Sequence, residues 1–175
     1  MATLSELRQQ KDDWFRADPG SPIPAAEQAT FPGLRYFPEA PALRLRVTLE
    51  RFAAPDQVQL ATTTGDQQWF IRWGEIHFAV DGQPARLTVF YSSWGGYFVP
   101  FSDATSGHES YAAGRYLEPD ELADGILLVD FNLAYNPFCA YSDEYSCPLP
   151  PAENWLDVPI RAGELAYAHP ADSAA

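Results

Sequence analysis

From Leu43 to Phe101 apolar residues recur at every second position, and the breaks fall at glycine-bearing turns. Leu43, Leu45, Val47 and Leu49 alternate with Arg44, Arg46, Thr48 and Glu50. Successive side chains of an extended chain point to opposite faces, so this pattern buries one face and wets the other. Val58 and Leu60 suggest the next strand, followed by a turn at Gly65-Asp66 and the alternating set Trp69, Ile71 and Trp73. Ile76, Phe78 and Val80 come after Gly74. Leu87, Val89 and Tyr91 return after Asp81-Gly82, a pair that tolerates the positive φ of a tight hairpin. Tyr97, Val99 and Phe101 follow Gly95-Gly96.

Strands this closely spaced predict an antiparallel meander over residues 42–131. Unpaired sheet edges invite aggregation, so a long meander is expected to curl or close. The expected fold is mainly β: an antiparallel β-barrel, a two-layer sandwich or a strongly curved sheet, with an N-terminal α-helix on it. The continuous apolar run Ile126–Val129, between Gly125 and Asp130, predicts a strand buried on both faces, and Val158 and Ile160 a last short strand.

The helix is predicted over residues 1–18. Thr3 followed by Glu6 fits a capping box, and Leu4, Leu7, Trp14 and Phe15 fall near one face. Asp18-Pro19-Gly20-Ser21-Pro22 stops it. The proline-rich stretch up to Pro41 reads as an ordered loop anchored by Phe31, Leu34, Tyr36 and Phe37. Residues 132–156 read as a motif-rich loop, and 170–175 as a frayed tail.

The 175 residues suit a single domain, which at this size buries roughly 70% of its unfolded surface without a disulfide or metal. The net charge of −13, with Lys11 the one lysine, argues against nucleic acid as a partner. Arg44, Arg46 and Arg51 come nearest to a basic patch. The acidity fits either a salty habitat or ordinary solubility. Residues 1–18 lack the apolar core of a signal peptide, and no stretch approaches the ~20 apolar residues that span a membrane. The expected compartment is therefore the cytoplasm, where Cys139 and Cys147 stay reduced.

Chemistry-bearing residues concentrate between Phe101 and Trp155. Asp103, His108 and Glu109 come first, then Arg115 and Tyr116. After the buried run come Asp130, Asn132, Tyr135, Asn136, Cys139 and Cys147. The segments Ala113-Gly114-Arg115-Tyr116-Leu117 and Asp130-Phe131-Asn132-Leu133-Ala134-Tyr135-Asn136-Pro137 resemble the domain of unknown function 1684 family of bacteria and archaea. Cys139-Ala140-Tyr141 and Cys147-Pro148-Leu149-Pro150-Pro151-Ala152-Glu153-Asn154 extend the resemblance, as do Phe31-Pro32-Gly33-Leu34 and Tyr36-Phe37-Pro38. It thus spans nearly the whole chain. The family pattern has Gly at Ala112 or Ala113 and usually Thr at Ser110. The resemblance supplies a family and carries no activity with it.

Asp130 ends an apolar strand. If buried it needs a cation, and Arg115 is the candidate, as a structural pair or as a holder of an anionic ligand group. Asn132, Tyr135 and Asn136 serve either as turn caps or as ligand contacts. Cys139 and Cys147 have no zinc-ribbon spacing. They read as two small apolar residues, as a disulfide closing a short loop, or as a nucleophile, Cys139, with His108 as its base. Asp103, His108 and Glu109 match no metal-ligand spacing, and neither a phosphate loop nor a dinucleotide fingerprint is present, so no metal or cofactor is expected. His77 is placed on an outer strand face, and Trp69, Trp73 and Trp94 read as core.

The leading expectation is a small-molecule pocket lined by Arg115, Tyr116, Asn132, Tyr135 and Asn136. One alternative is an acid–base or Cys-nucleophile hydrolase or transferase using Cys139, His108 and Asp130. The other is a protein-interaction module.

Overall fold

The computed structural model describes residues 1–170 and 172. The expected frayed tail over 170–175 therefore lies largely outside the described residues. Helix α1 (Leu4–Ala17) opens on the capping box. The Glu6 amide donates to the Thr3 hydroxyl at 3.2 Å, and the Thr3 amide donates to the Glu6 carboxylate at 2.7 Å. Its apolar face is narrower than expected: Phe15 is buried, while Leu7 and Trp14 are about two-fifths exposed. Phe15 packs edge-on against Tyr141, with ring centroids 5.2 Å apart, in a cluster that includes Phe31. A four-residue helix, α2 (Ala25–Gln28), follows.

Among the described residues, eight strands make two antiparallel sheets. Strands β2 (Glu50–Ala61), β3 (Gln67–Val80), β4 (Gln83–Tyr91), β5 (Tyr97–Phe101) and β6 (Arg115–Leu117) form a sequential five-stranded sheet. Strand β8 (Ile126–Asp130) lies between β1 (Arg44–Thr48) and β7 (Asp120–Ala123) in a three-stranded one. The meander is thus split, because β1 leaves its neighbour β2 to pair with β8. Neither sheet closes on itself, so the barrel gives way to two layers.

The turns fall where expected. Asp81 (φ 49°) and Gly82 (φ 78°) join β3 to β4, and the Gly65-Asp66 turn joins β2 to β3. Gly74 does not separate two strands. It sits inside the 14-residue β3, next to a bulge in the pairing with β4. A Cβ at Gly74 would lie 2.6 Å from the Glu50 carbonyl oxygen, so the close approach of β2 requires glycine.

The five-stranded sheet is covered on both faces over β4 to β6. Leu87, Val89, Val99, Phe101 and Leu117 face the main core, shared with Val47, Leu127, Val129 and Phe131 of the smaller sheet and its exit. The intervening Phe90, Phe98 and Tyr116 face the other way, into a second cluster with Leu60, Phe70 and Cys147. Opposite pointing of neighbouring residues is the ordinary strand pleat. Cys147 belongs to the motif-rich loop, so that loop caps the second face. Strand β8 alternates instead of being buried on both faces: Leu127 and Val129 are buried, Ile126 and Leu128 half-buried.

Val158 and Ile160 form no strand. They are buried in an irregular segment held by the Ala104 amide donating to the Val158 carbonyl at 3.1 Å. Asn154 does similar work between strands. β4 and β5 pair directly only at Phe90↔Phe98 and Tyr91↔Tyr97, and beyond that Pro100 has no amide to donate. The fully buried Asn154 side chain fills the gap. Its Oδ1 accepts from the Thr88 amide at 2.8 Å, and its Nδ2 donates to the carbonyls of Thr88 (3.0 Å) and Pro100 (2.8 Å). Asn154→Ala strands these buried groups, and chemical denaturation should show a loss of ~1–3 kcal/mol. Among the described residues no helix is long and apolar enough to cross a membrane.

Candidate functional site

Between the second face of the large sheet and the motif-rich loop lies a cavity of about 280 Å³. The sheet side contributes Gln68, Trp94, Phe98 and Tyr116, and the loop contributes Tyr135, Phe138, Tyr145 and Cys147. Alternation explains the sheet wall, since Phe98 and Tyr116 are the residues that cannot face the main core. The loop is tied to β6 by reciprocal backbone bonds between Tyr116 and Tyr135, at 2.9 and 3.1 Å. The rings meet edge to face: Phe98 and Tyr116 at 4.8 Å, Tyr116 and Tyr135 at 5.7 Å, Phe138 and Tyr145 at 5.3 Å.

The hydroxyls of Tyr116 and Tyr135 are already engaged. Tyr116 donates to the Pro148 carbonyl, and Tyr135 donates to the Glu118 carboxylate at 3.1 Å. Burial raises both phenols well above their ordinary pKa, so both stay neutral donors. The surface left facing the cavity is mostly carbon. Gly114 fixes the start of β6: at φ 93°, a Cβ there would lie 2.5 Å from the Phe101 carbonyl and 2.8 Å from Pro150.

The two cysteines meet at the edge of this cavity. Both are free thiols, Cys139 half-buried and Cys147 buried. The Cys139 amide donates to the Cys147 sulfur at 3.3 Å, and the Tyr111 hydroxyl lies 3.5 Å from the Cys139 sulfur. Hydrogen bonding from the Cys147 thiol, against the opposing effect of burial and helped by Tyr111, pulls the Cys139 thiol down to about 6. The same contact and burial push Cys147 up. The expected base is elsewhere: His108 is exposed in the loop after β5, and the partners that shift Cys139 are Cys147, Tyr111 and Thr63.

Arg115 does not pair with Asp130. It is fully buried on the core face, donating to Asp103 at 3.3 Å and to the carbonyls of Ile160 (2.8 Å), Glu164 (3.2 Å) and Ala162. Phe37 and Phe101 flank its guanidinium. The group is a clasp between β6 and residues 160–164, with no face toward the cavity. Asp130 instead approaches Arg44 at 3.6 Å and accepts from the Asn132 amide at 3.0 Å. It lines a separate hollow of about 260 Å³ with Glu118, Asp120 and Tyr135. Asn132 bonds both backbone groups of Ala40, at 2.8 and 3.0 Å. Asn136 donates from its side chain to the Leu165 carbonyl at 2.9 Å. Of the expected ligand contacts, the fold thus brings Tyr116 and Tyr135 to the cavity. It uses Arg115, Asn132 and Asn136 as tethers.

Sequence reasoning missed Trp94, Phe98, Phe138 and Tyr145. For Phe98 the signal was present in the pleat, because Tyr97, Val99 and Phe101 had been given one face. It also missed Glu164, a carboxylate 2% exposed. Glu164 pairs with Lys11 and accepts from the Asn136 amide at 2.7 Å and from the Tyr141 hydroxyl at 3.1 Å. Glu50, Glu75 and His77 bring ligand atoms within 4.8 Å of one another on an open strand face. There the His77 ring hydrogen-bonds Glu75 at 2.9 Å, an ordinary surface contact.

A model of the family described as "Protein of unknown function (DUF1684)" matches residues 29–165, most of the chain. The solution NMR structure of an uncharacterized protein of Haloarcula marismortui is similar, with a TM-score of 0.70 and 42% identity. The match covers 93% of this chain and 91% of that one. No curated protein matches the chain.

Proposed function

The chain belongs to the family of proteins of unknown function DUF1684, and we propose that it binds a small organic molecule with a flat, mostly apolar body in the cavity beneath the motif-rich loop. The observation that carries the proposal is the aromatic lining. Trp94, Phe98, Tyr116, Tyr135, Phe138 and Tyr145 converge on one space, while the Tyr116 and Tyr135 hydroxyls are engaged elsewhere. Ligand sites are typically concave and apolar, with a few placed polar groups, at about 300–1,000 Å³. A cavity of about 280 Å³ suits a ligand at the small end. Gln68, the Tyr145 hydroxyl and the Trp94 indole are the polar side-chain groups left to orient it, since the Ser146 hydroxyl is taken up by Thr62 and Asp66.

Trp94 supplies the test. It lines the cavity yet is 55% exposed, so its removal disturbs little else. A ligand that binds only the native state raises its melting temperature, by an amount set by RT ln(1 + [L]/Kd). Fractions of a metabolite extract should contain a compound that raises the melting temperature of the native protein. The rise should shrink for Trp94→Ala and Phe138→Ala at equal concentration. No stabilising fraction, or equal stabilisation of both variants, would refute the assignment.

A further inference from the structure

We infer that Cys139 and Cys147 form a redox-active pair whose substrate class is hydroperoxides, with Cys139 as the attacking sulfur and Cys147 as the resolving one. The inference does not depend on ligand binding in the cavity, although Cys147 also lines that space.

Three features of the geometry carry it. The two side chains lie side by side, since the Cys139 amide donates to the Cys147 sulfur at 3.3 Å. Their exposure is unequal: Cys139 is half-buried and reachable, and Cys147 is 7% exposed. The Tyr111 hydroxyl also lies 3.5 Å from the Cys139 sulfur, where it can donate to a thiolate. A thiolate needs such donors, and a resolving thiol needs to remain protonated until its turn.

The chemistry balances with the peroxide as oxidant. The Cys139 thiolate attacks one peroxide oxygen, and the O–O bond breaks. The departing oxygen takes a proton and leaves as water or an alcohol, and Cys139 becomes a sulfenic acid. The Cys147 sulfur then attacks the Cys139 sulfur. Hydroxide leaves and takes up the Cys147 proton as water, and a disulfide remains. Two electrons pass from the two thiols to the peroxide, and thioredoxin-class dithiols can return the pair to its reduced state.

The test exposes the reduced full-length protein to hydrogen peroxide and follows the thiols by alkylation and mass spectrometry. One intramolecular disulfide joining the Cys139 and Cys147 peptides is expected. The rate should rise with pH through about 6 and then level off, because Cys139 is a thiolate above that value. Free cysteine keeps gaining up to about 8.5. At pH 6 the larger thiolate fraction outweighs the lower intrinsic nucleophilicity, leaving the protein about tenfold faster than free cysteine. Cys147→Ser should accumulate a sulfenic acid at Cys139, and Cys139→Ser should lose the fast reaction. The pH profile of the unaltered protein needs neither variant to fold. A rate that follows an ordinary thiol, or oxidation that leaves both thiols free, would overturn the inference.

Discussion

Replacing Arg115 with Met is expected to remove ~3–5 kcal/mol of stability, a large share of the ~5–15 kcal/mol typical of a single domain. The loss comes from stranded partners. Arg115 and Asp103 have no side-chain exposure, so neither can turn to water when the other is removed. Asp103 would keep bonds from the Thr105 hydroxyl at 2.9 Å and the Ile160 amide at 2.6 Å, but its charge would lose its counterion. The carbonyls of Ile160, Ala162 and Glu164 would lose their shared donor at the same time. Arg115→Lys should fall between the native protein and Arg115→Met, since one ammonium cannot span a fork of four acceptors. Chemical denaturation of Arg115→Met, Asp103→Asn and the double variant measures the coupling. Coupling near zero would contradict the clasp. A ligand shift abolished in a folded Arg115→Lys protein would return Arg115 to the binding site.

The displacement of Arg115 from the expected site shows where sequence reading stops. Arg115 and Tyr116 are consecutive residues of a strand, so their side chains must point to opposite faces. One pocket cannot take both, and that conflict was legible once β6 was treated as a strand. The true partner was not legible. Asp103 comes near Arg115 because β5 and β6 pair at Phe101↔Arg115, a register fixed by the whole sheet. Asp130 was the closest acid at a strand end, but β8 belongs to the other sheet.

What the sequence did specify was local. The capping box at Thr3 and Glu6 and the positive-φ turn at Asp81-Gly82 depend on residues within one turn of each other, and both are present. The period-two pattern correctly marked Val47, Ile76, Leu87 and Val99 as core. The pairing of β1 with β8 joins Arg44 to Asp130, 86 positions away, and nothing near either residue announces it. The cavity combines both situations. Tyr116 and Tyr135 were legible as motif residues, whereas Trp94 and Phe98 joined them only once the loop had folded over the second face.

Glu164 leads to the second large effect, and its sign depends on which partner is exposed. Removing the cation should be worse than neutralising the acid. Glu164 is 2% exposed and anchors the Asn136 amide and the Tyr141 hydroxyl, so Lys11→Met leaves a buried anion with hydrogen bonds but no counter-charge. Breaking a buried pair in this way costs ~3–5 kcal/mol. Lys11 itself is 29% exposed, so after Glu164→Gln its ammonium can reach solvent, and the amide oxygen still accepts from a neighbour. That change should cost roughly 1–3 kcal/mol, the scale of one imperfectly replaced bond. The double variant should be more stable than Lys11→Met alone, because it removes the stranded charge. Denaturant midpoints of the three proteins decide the matter. If Glu164→Gln proves the more damaging single change, the carboxylate acts through its contacts with Asn136 and Tyr141, and the tether of α1 to the motif-rich loop through Lys11 is secondary.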